Sequence, residues 1–316
     1  MADSLDYYVS KAATDIAAIT SGGKLLPKQV QTFDEKLILA SKLLQMCNVI
    51  PMTTPEWELD RAGFTGQVLH PDTEAGTPTD SQIAAPVFEK RTLSVKRTKA
   101  VVKVSYHTLK SVIDSGKFIP FLTDKLAKAV KRDMEKVIIR GDTTLTPNTL
   151  ENQLLVLMDG IIKQATAHLY DANGSPITDP LIDELEILLP DQYADEETLM
   201  LLTSRKAAIR YRQSRGQRAT PGGDAQLAKR DPMDHHEIPV VGIPLFPSEL
   251  GSLTNETVAL LCDPQNIYVG IQDDMEIELD KKPVQGIYYI VFRYAFDVTY
   301  KEPDAVVKAF EVKALA

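Results

Sequence analysis

The segment from Trp57 to Val104 constrains this chain more than any other. Up to Pro86 it carries Gly63, Gly66, Pro71, Gly76, Pro78 and Pro86, with few large apolar residues. Its C-terminal half alternates, with Leu93 and Val95 and then Val101, Val102 and Val104, the period of a strand. The pattern predicts two long strands joined by a polar tip around residues 71–80. A two-stranded ribbon of this composition is marginal alone in water, because it buries too little apolar area to offset the entropy of ordering it. Something else must hold it down, either the body of its own subunit or a neighbouring molecule.

The remaining sequence supplies a body. At 316 residues, 44% hydrophobic and 25% charged, the chain is of ordinary globular composition and sized for about two domains. Its net charge of −9 excludes a uniformly basic DNA-coating protein, yet the charge is uneven. Residues 90–140 hold fourteen basic and four acidic side chains, residues 203–230 hold eight and one, and the remainder holds thirteen and thirty-nine. Two cationic segments in an acidic body suit pairing between copies, a basic surface turned to a polyanion, or solvated faces that balance in three dimensions. Cys47 and Cys262 are too few for a disulfide framework or a four-thiolate zinc site and read as buried free thiols. No apolar run approaches the ~18 residues of a membrane span. Met1 to Asp6 carries two acids and no basic stretch, unlike a signal peptide, so cytoplasmic synthesis and use are expected.

Helices and strands alternate irregularly, which predicts the α+β class. Leu5, Val9, Ala12, Ile16 and Ile19 mark a weakly amphipathic helix ended by Ser21-Gly22-Gly23, an arm outside the core. A second helix is expected between Pro27 and Asn48, before Pro51 and Pro55 break regularity. Ser105 is a plausible N-cap for a short helix over 106–114, broken by Ser115-Gly116. The strongest helix runs from about Ile119 to Arg140, with Leu122, Leu126, Val130, Met134, Val137 and Ile138 as its apolar face. Lys125, Lys128, Arg132, Lys136 and Arg140 line another face at spacings of three and four. Like charges at that spacing repel, so the stripe points to an anionic partner or to a solvated face. Residues 150–168 read as one helix and 181–189 as another. A buried strand follows at 198–203, then a helix over 204–213. Arg210, Arg212, Arg215 and Arg218 make a candidate basic loop with the polar stretch 216–231. Strands are expected at 258–262, 267–271, 276–279 and 286–300, and a helical turn after Pro303.

The sequence composes no catalytic constellation. Asp231, Asp234, His235, His236 and Glu237 are the densest ligand-type cluster. Adjacent histidines point differently in a helix or a strand and lack the i,i+4 spacing that shares a metal, so a solvated loop is expected, with no metal and no cofactor. A metal-dependent enzyme built on that cluster is the alternative from another class. Ser21-Gly22-Gly23-Lys24 fails the phosphate-loop pattern at Ala18 and Leu25, and neither a nucleophile elbow nor a dinucleotide fingerprint occurs. The aromatics between Ile287 and Tyr294 read as sheet alternation rather than a base-stacking platform.

Three blocks occur in a telling order. Lys90 to Gly141 runs from a strand pair through Val102-Lys103-Val104-Ser105 and Asp114-Ser115 into a long helix closing on Gly141-Asp142. Val241-Gly242-Ile243-Pro244-Leu245 is followed by Pro247-Ser248. Leu261-Cys262-Asp263-Pro264 leads through Tyr268 and Ile277 to Phe292-Arg293-Tyr294 and Pro303-Asp304-Ala305. Together they resemble the major capsid proteins of tailed bacteriophages, whose Hong Kong-phage capsid fold is shared with encapsulins and the herpesvirus capsid floor. The likeness covers about Lys24 to the end. Cys262-Asp263 departs from the family's frequent Gly-Asp, Thr143-Thr144 follows Asp142 where glycine is usual, and the 216–236 loop has no counterpart.

The resemblance implies an N-terminal arm at 1–31 and an extended loop at 56–100. It implies a peripheral domain of 32–55 with 101–145 and 275–300, including a spine helix at 117–140, and an axial domain of 146–274 with 301–316. It implies a non-enzymatic virion protein, assembled in the host cytoplasm as hexamers and pentamers into an icosahedral shell around double-stranded DNA, without sequence-specific contacts. A separate scaffolding protein, a portal and a decoration protein are the implied partners, with no membrane. The basic stripe is then expected to line the interior or meet the next subunit. The loop tip, with Thr73, Glu74, Thr77, Thr79 and Asp80, is expected to touch a neighbour. An encapsulin-type compartment is the near alternative, against which the long N-terminal arm argues.

Overall fold

The computed structural model describes residues 41–64, 69, 86–105, 115–194, 198–216, 233–250, 255–272 and 276–314. The expected arm helix, the helix over 106–114, the loop tip with Thr73, Glu74, Thr77, Thr79 and Asp80, and Arg218 and Asp231 lie outside the described residues. The mixed α+β class is borne out.

Two sheets organise the chain. In the first, β12 (Ile287–Tyr300) is the hub. Its N-terminal half lies between β11 (Glu276–Lys282) and β4 (Lys96–Ser105), both antiparallel. Its C-terminal end pairs with β10 (Ile267–Gln272), which carries β1 (Asn48–Met52) in parallel. The second sheet runs in the order β5 (His168–Asp171), β13 (Val306–Lys313), β9 (Glu256–Cys262), β6 (Met200–Ser204), β8 (Ile238–Ile243), β7 (Met233–His235). The chain crosses between the sheets three times, after β4 by way of the helices and then after β9 and after β12. The Asn266 side chain pins the last two crossings together: its amide donates to the Glu302 carbonyl at 2.7 Å and its oxygen accepts from the Glu302 N–H at 2.7 Å.

The second sheet is a wall between two cores. All seven residues of β9 are buried, and their alternation sends Val258, Leu260 and Cys262 to one side and Ala259 and Leu261 to the other. On the first side lie α1 (Lys42–Met46), with Leu43 and Leu44, and α2 (Ser115–Arg140), with Met134, Val137, Ile138 and Ile139. On the second lie α5 (Asp179–Leu188), with Leu181, Ile182 and Leu185, and α6 (Arg205–Gly216), with Ala207 and Tyr211.

Several expectations are corrected. The long helix is 26 residues and begins at Ser115, so Ser115-Gly116 forms its first turn rather than a break. Residues 150–168 are two short helices, α3 (Leu150–Leu155) and α4 (Ile161–Gln164), followed by the start of β5. The reason is a close backbone contact. Gly160 donates to the Gly141 carbonyl at 2.9 Å, and a Cβ on Gly160 would sit 2.7 Å from both the Gly141 nitrogen and the Ile138 carbonyl oxygen. The chain must bend there to seat the end of α2. Strands escaped the sequence reading as well, β1, β5, β7 and β13 among them. Pro51 sits inside β1, tolerated because β1 is an edge strand. Beyond the turn at Pro303–Ala305, β13 runs on through an irregularity between Ala309 and Val312, where Glu311 takes φ 54°.

Gly160→Ala should therefore destabilise the subunit by about 1–3 kcal/mol, since the atoms it meets are backbone and cannot turn aside. Urea unfolding of the unassembled subunit measures this.

Candidate assembly surfaces

The ribbon is the antiparallel pair β2 (Glu56–Phe64) and β3 (Pro86–Ser94). It buries a small core of its own on the body: Leu59 and Leu93 pack with Met52 of β1. Gly270 leaves the room, for a Cβ there would lie 2.4 Å from Met52 Sδ. The Ser94 N–H donates to Asp297 Oδ2 at 2.8 Å, and Val298 N–H donates to Oδ1 at 2.9 Å. Burial pushes the Asp297 carboxyl above the usual range, against the pull of those two amides. Arg61 donates to Tyr193 Oη at 2.9 Å and pairs with Glu302 at 3.0 Å and Glu89 at 3.3 Å. The body of the subunit thus holds the base of the ribbon. Farther out the apolar side chains lose cover: Phe88 is 73% exposed.

The basic stripe of α2 divides in two. Lys136 Nζ lies 2.6 Å from Glu151 Oε1 of α3, and Arg140 Nη1 lies 3.5 Å from the same oxygen. The hydrogen bond from Lys136 is the leading cause of a lowered Glu151 pKa. These two cations are compensated inside the subunit, by an acid brought from another helix rather than from i,i+4. Lys125 and Lys128 are exposed, and Arg132, 68% exposed, pairs with its neighbour Asp133 at 3.4 Å. Arg132, Lys136 and Arg140 also line a cleft of about 440 Å³ closed by residues 244–249.

The basic-loop assignment is corrected for three of its four arginines. Arg210, Arg212 and Arg215 lie on α6. Arg215 is buried, donating to Tyr211 Oη at 2.6 Å and pairing with Asp179 at 3.1 Å, so it is a structural cation. Arg210 Nη1 is buried without a hydrogen-bond partner among the described residues.

The remaining chemistry resolves as packing, with one exception. Phe292, Tyr294 and Phe296 are buried in the core, as sheet alternation requires, and offer no stacking platform. Cys47 and Cys262 are free and buried, and burial pushes the Cys262 thiol up to about 12, so neither is a nucleophile at neutral pH. The exception is the histidine pair. His236 and Glu237 link β7 to β8 with φ of 46° and 66°, a left-handed two-residue hairpin turn. Outside the regular strand period the His235 and His236 rings stack, 4.2 Å apart and 17° from parallel. The expectation that they point apart is wrong; a turn signal after a strand as short as three residues was too faint to see.

The model of the Phage capsid family matches residues 22–309. A putative prophage capsid protein of Bacillus subtilis (strain 168), YqbE, is 27% identical over 312 residues, covering 96% of this chain and 98% of that one. The structure is similar to that of the satellite phage P4 procapsid, with a TM-score of 0.67 at 15% identity, over 97% of this chain and 98% of that one. It is also similar to the SrpI encapsulin of Synechococcus elongatus PCC 7942, with a TM-score of 0.57 at 11% identity, over 89% and 90%. At those identities the two structures show a shared fold.

Glu151→Gln should cost the isolated subunit less than about 1 kcal/mol, because the pairs it breaks are half exposed. The lowered pKa fixes the sign. The wild-type contribution is complete above the ordinary glutamate range and is lost as pH falls through the lowered value, so the two proteins should converge in acid. Thermal midpoints between neutral and acid pH check this.

Proposed function

The chain belongs to the phage capsid family, and from that premise we propose that its subunits form hexamers and pentamers that close into an icosahedral shell around double-stranded DNA. A shell-forming structural protein of the virion is what family membership states. The copy number per capsomer, the enclosed DNA, the lack of any enzymatic activity and assembly in the host cytoplasm are our reading. No described helix is long and apolar enough to cross a membrane.

The observation that carries the reading is the ribbon. Its base is fastened to the body while Phe88 is left exposed, the form expected of an element whose outer part is completed by another copy. The residues of its tip, Thr73, Glu74, Thr77, Thr79 and Asp80, are the proposed contact. Arm, extended loop, peripheral domain and axial domain keep their boundaries in this proposal, with β10 lying in the sheet of β12. The proposed inner or inter-subunit cationic surface keeps Lys125, Lys128 and Arg132 for their exposure, while Lys136 and Arg140 serve Glu151 within the subunit. A separate scaffold, a portal and a decoration protein complete the partner set. A size-determination protein accompanies the P4 procapsid, which supports a role for accessory proteins here. The encapsulin fold neighbour supports a second reading, a compartment around protein cargo.

Electron microscopy of the expressed chain tests the shell: closed particles or capsomer rings are expected, and a small soluble oligomer would remove the proposal. Co-purified DNA or cargo protein separates phage shell from compartment. Limited proteolysis should cut within the ribbon, Arg61 to Glu89, in free subunits and be blocked in shells. The charge reversals Lys128→Glu and Arg132→Glu should leave the subunit's unfolding free energy within about 0.5 kcal/mol of wild type while impairing assembly or DNA retention, since phosphate contacts are sequence-independent and exposed charges add little to folding. A large loss of subunit stability would instead mark an internal role.

A further inference from the structure

The β7–β8 hairpin and α5 bring three metal-ligand side chains to one point. Asp183 Oδ1 of α5 lies 2.7 Å from His235 Nε2 and 3.7 Å from His236 Nδ1. One donor atom from each of the three residues lies within 4.8 Å of the other two. The left-handed turn makes this possible, by swinging His236 over His235 so that both rings face the same carboxylate. Glu186, one helical turn along α5, places Oε2 3.9 Å from His236 Nδ1. On the far side of His235, Nδ1 lies 3.8 Å from Asp179 Oδ1, which Tyr211 Oη holds at 2.8 Å and Arg215 Nη1 at 3.1 Å.

We propose that Asp183, His235 and His236 bind a first-row divalent cation of the zinc class, with Asp179 orienting His235 from behind. The ligand set selects the metal. Two imidazoles and one carboxylate suit zinc, cobalt or nickel, whereas magnesium and calcium take oxygen ligands. The spacing is close to what is required: with metal–ligand bonds of about 2.0–2.1 Å, tetrahedral ligand atoms stand roughly 3.3–3.4 Å apart, and 2.7 and 3.7 Å fall on either side of that. Ligation through His235 Nε2 fixes its proton on Nδ1, where Asp179 stands to accept it, the carboxylate–histidine–metal arrangement that tunes such sites. The single proton of the neutral ring, when it lies on Nε2 toward Asp183, moves to Nδ1 by exchange through solvent as the metal takes its place. Three protein ligands leave a fourth position for water or Glu186. Bound metal would cross-link α5 to the hairpin that follows residues 217–232, stapling two elements of the second core from outside.

The rival is a plain histidine–carboxylate pair. The full chain, stripped with a chelator, is titrated with Co²⁺ and then Zn²⁺. The site is expected to give a visible tetrahedral Co²⁺ absorption that saturates at one equivalent and is displaced by Zn²⁺, with a thermal midpoint raised by Zn²⁺ and unmoved by Mg²⁺. His236→Asn tests one ligand with little risk to the fold, because residue 236 is exposed and asparagine tolerates the left-handed backbone. Asp183→Asn tests the second. Each should weaken Co²⁺ binding at least about tenfold with an unchanged metal-free midpoint. No saturable absorption in the wild type, or affinity unchanged in both variants, would overturn the site and leave the pair as the answer.

Discussion

A sheet with no solvent face governs this molecule. The strands β13, β9, β6 and β8 bury side chains on both sides, so each residue is assigned to one of two cores by parity alone. A slip of one residue in β9 would exchange Leu260 with Leu261 and present each core with the other's packing. Register must therefore be fixed, and antiparallel partners on both edges of β9 fix it. From that wall the remaining elements take their places: the long helix and the first sheet on one side, α5 and α6 on the other.

The wall also explains which features were legible in the sequence. An uninterrupted apolar run such as Val258–Cys262 announces a buried strand, and α2 announced itself by its periodicity. The pattern could not say that the two faces of β9 enter different cores, because a doubly buried strand has no polar face to orient it. β1 and β13 were lost for another reason. Proline signals in both places were read as breaks, whereas one proline sits on an edge strand and the other only opens a short turn.

Charge was the less legible part. The five-residue stripe was visible as helical spacing, but its division was not. The compensating Glu151 arrives from a different helix because Gly141 and Gly160 bring the chain back against the end of α2. Arg215 was counted with a solvated loop and is instead a buried cation closing the second core through Asp179 and Tyr211. Both cases show one limit: spacing reveals which charges share a face, and only tertiary approach reveals which of them are spent within the subunit.

The base of the ribbon has a mechanical meaning. Arg61 of β2 grips Glu302, and Glu302 lies on the passage from β12 in one sheet to β13 in the other, where Asn266 binds it to the crossing from β9 to β10. A load applied to the distal ribbon therefore does not peel a single strand from an edge. It enters at the joint between the sheets and is shared by both at once, as shear along several hydrogen-bonded strands. An element fastened there is a tension member, able to pass strain into the whole body of its subunit.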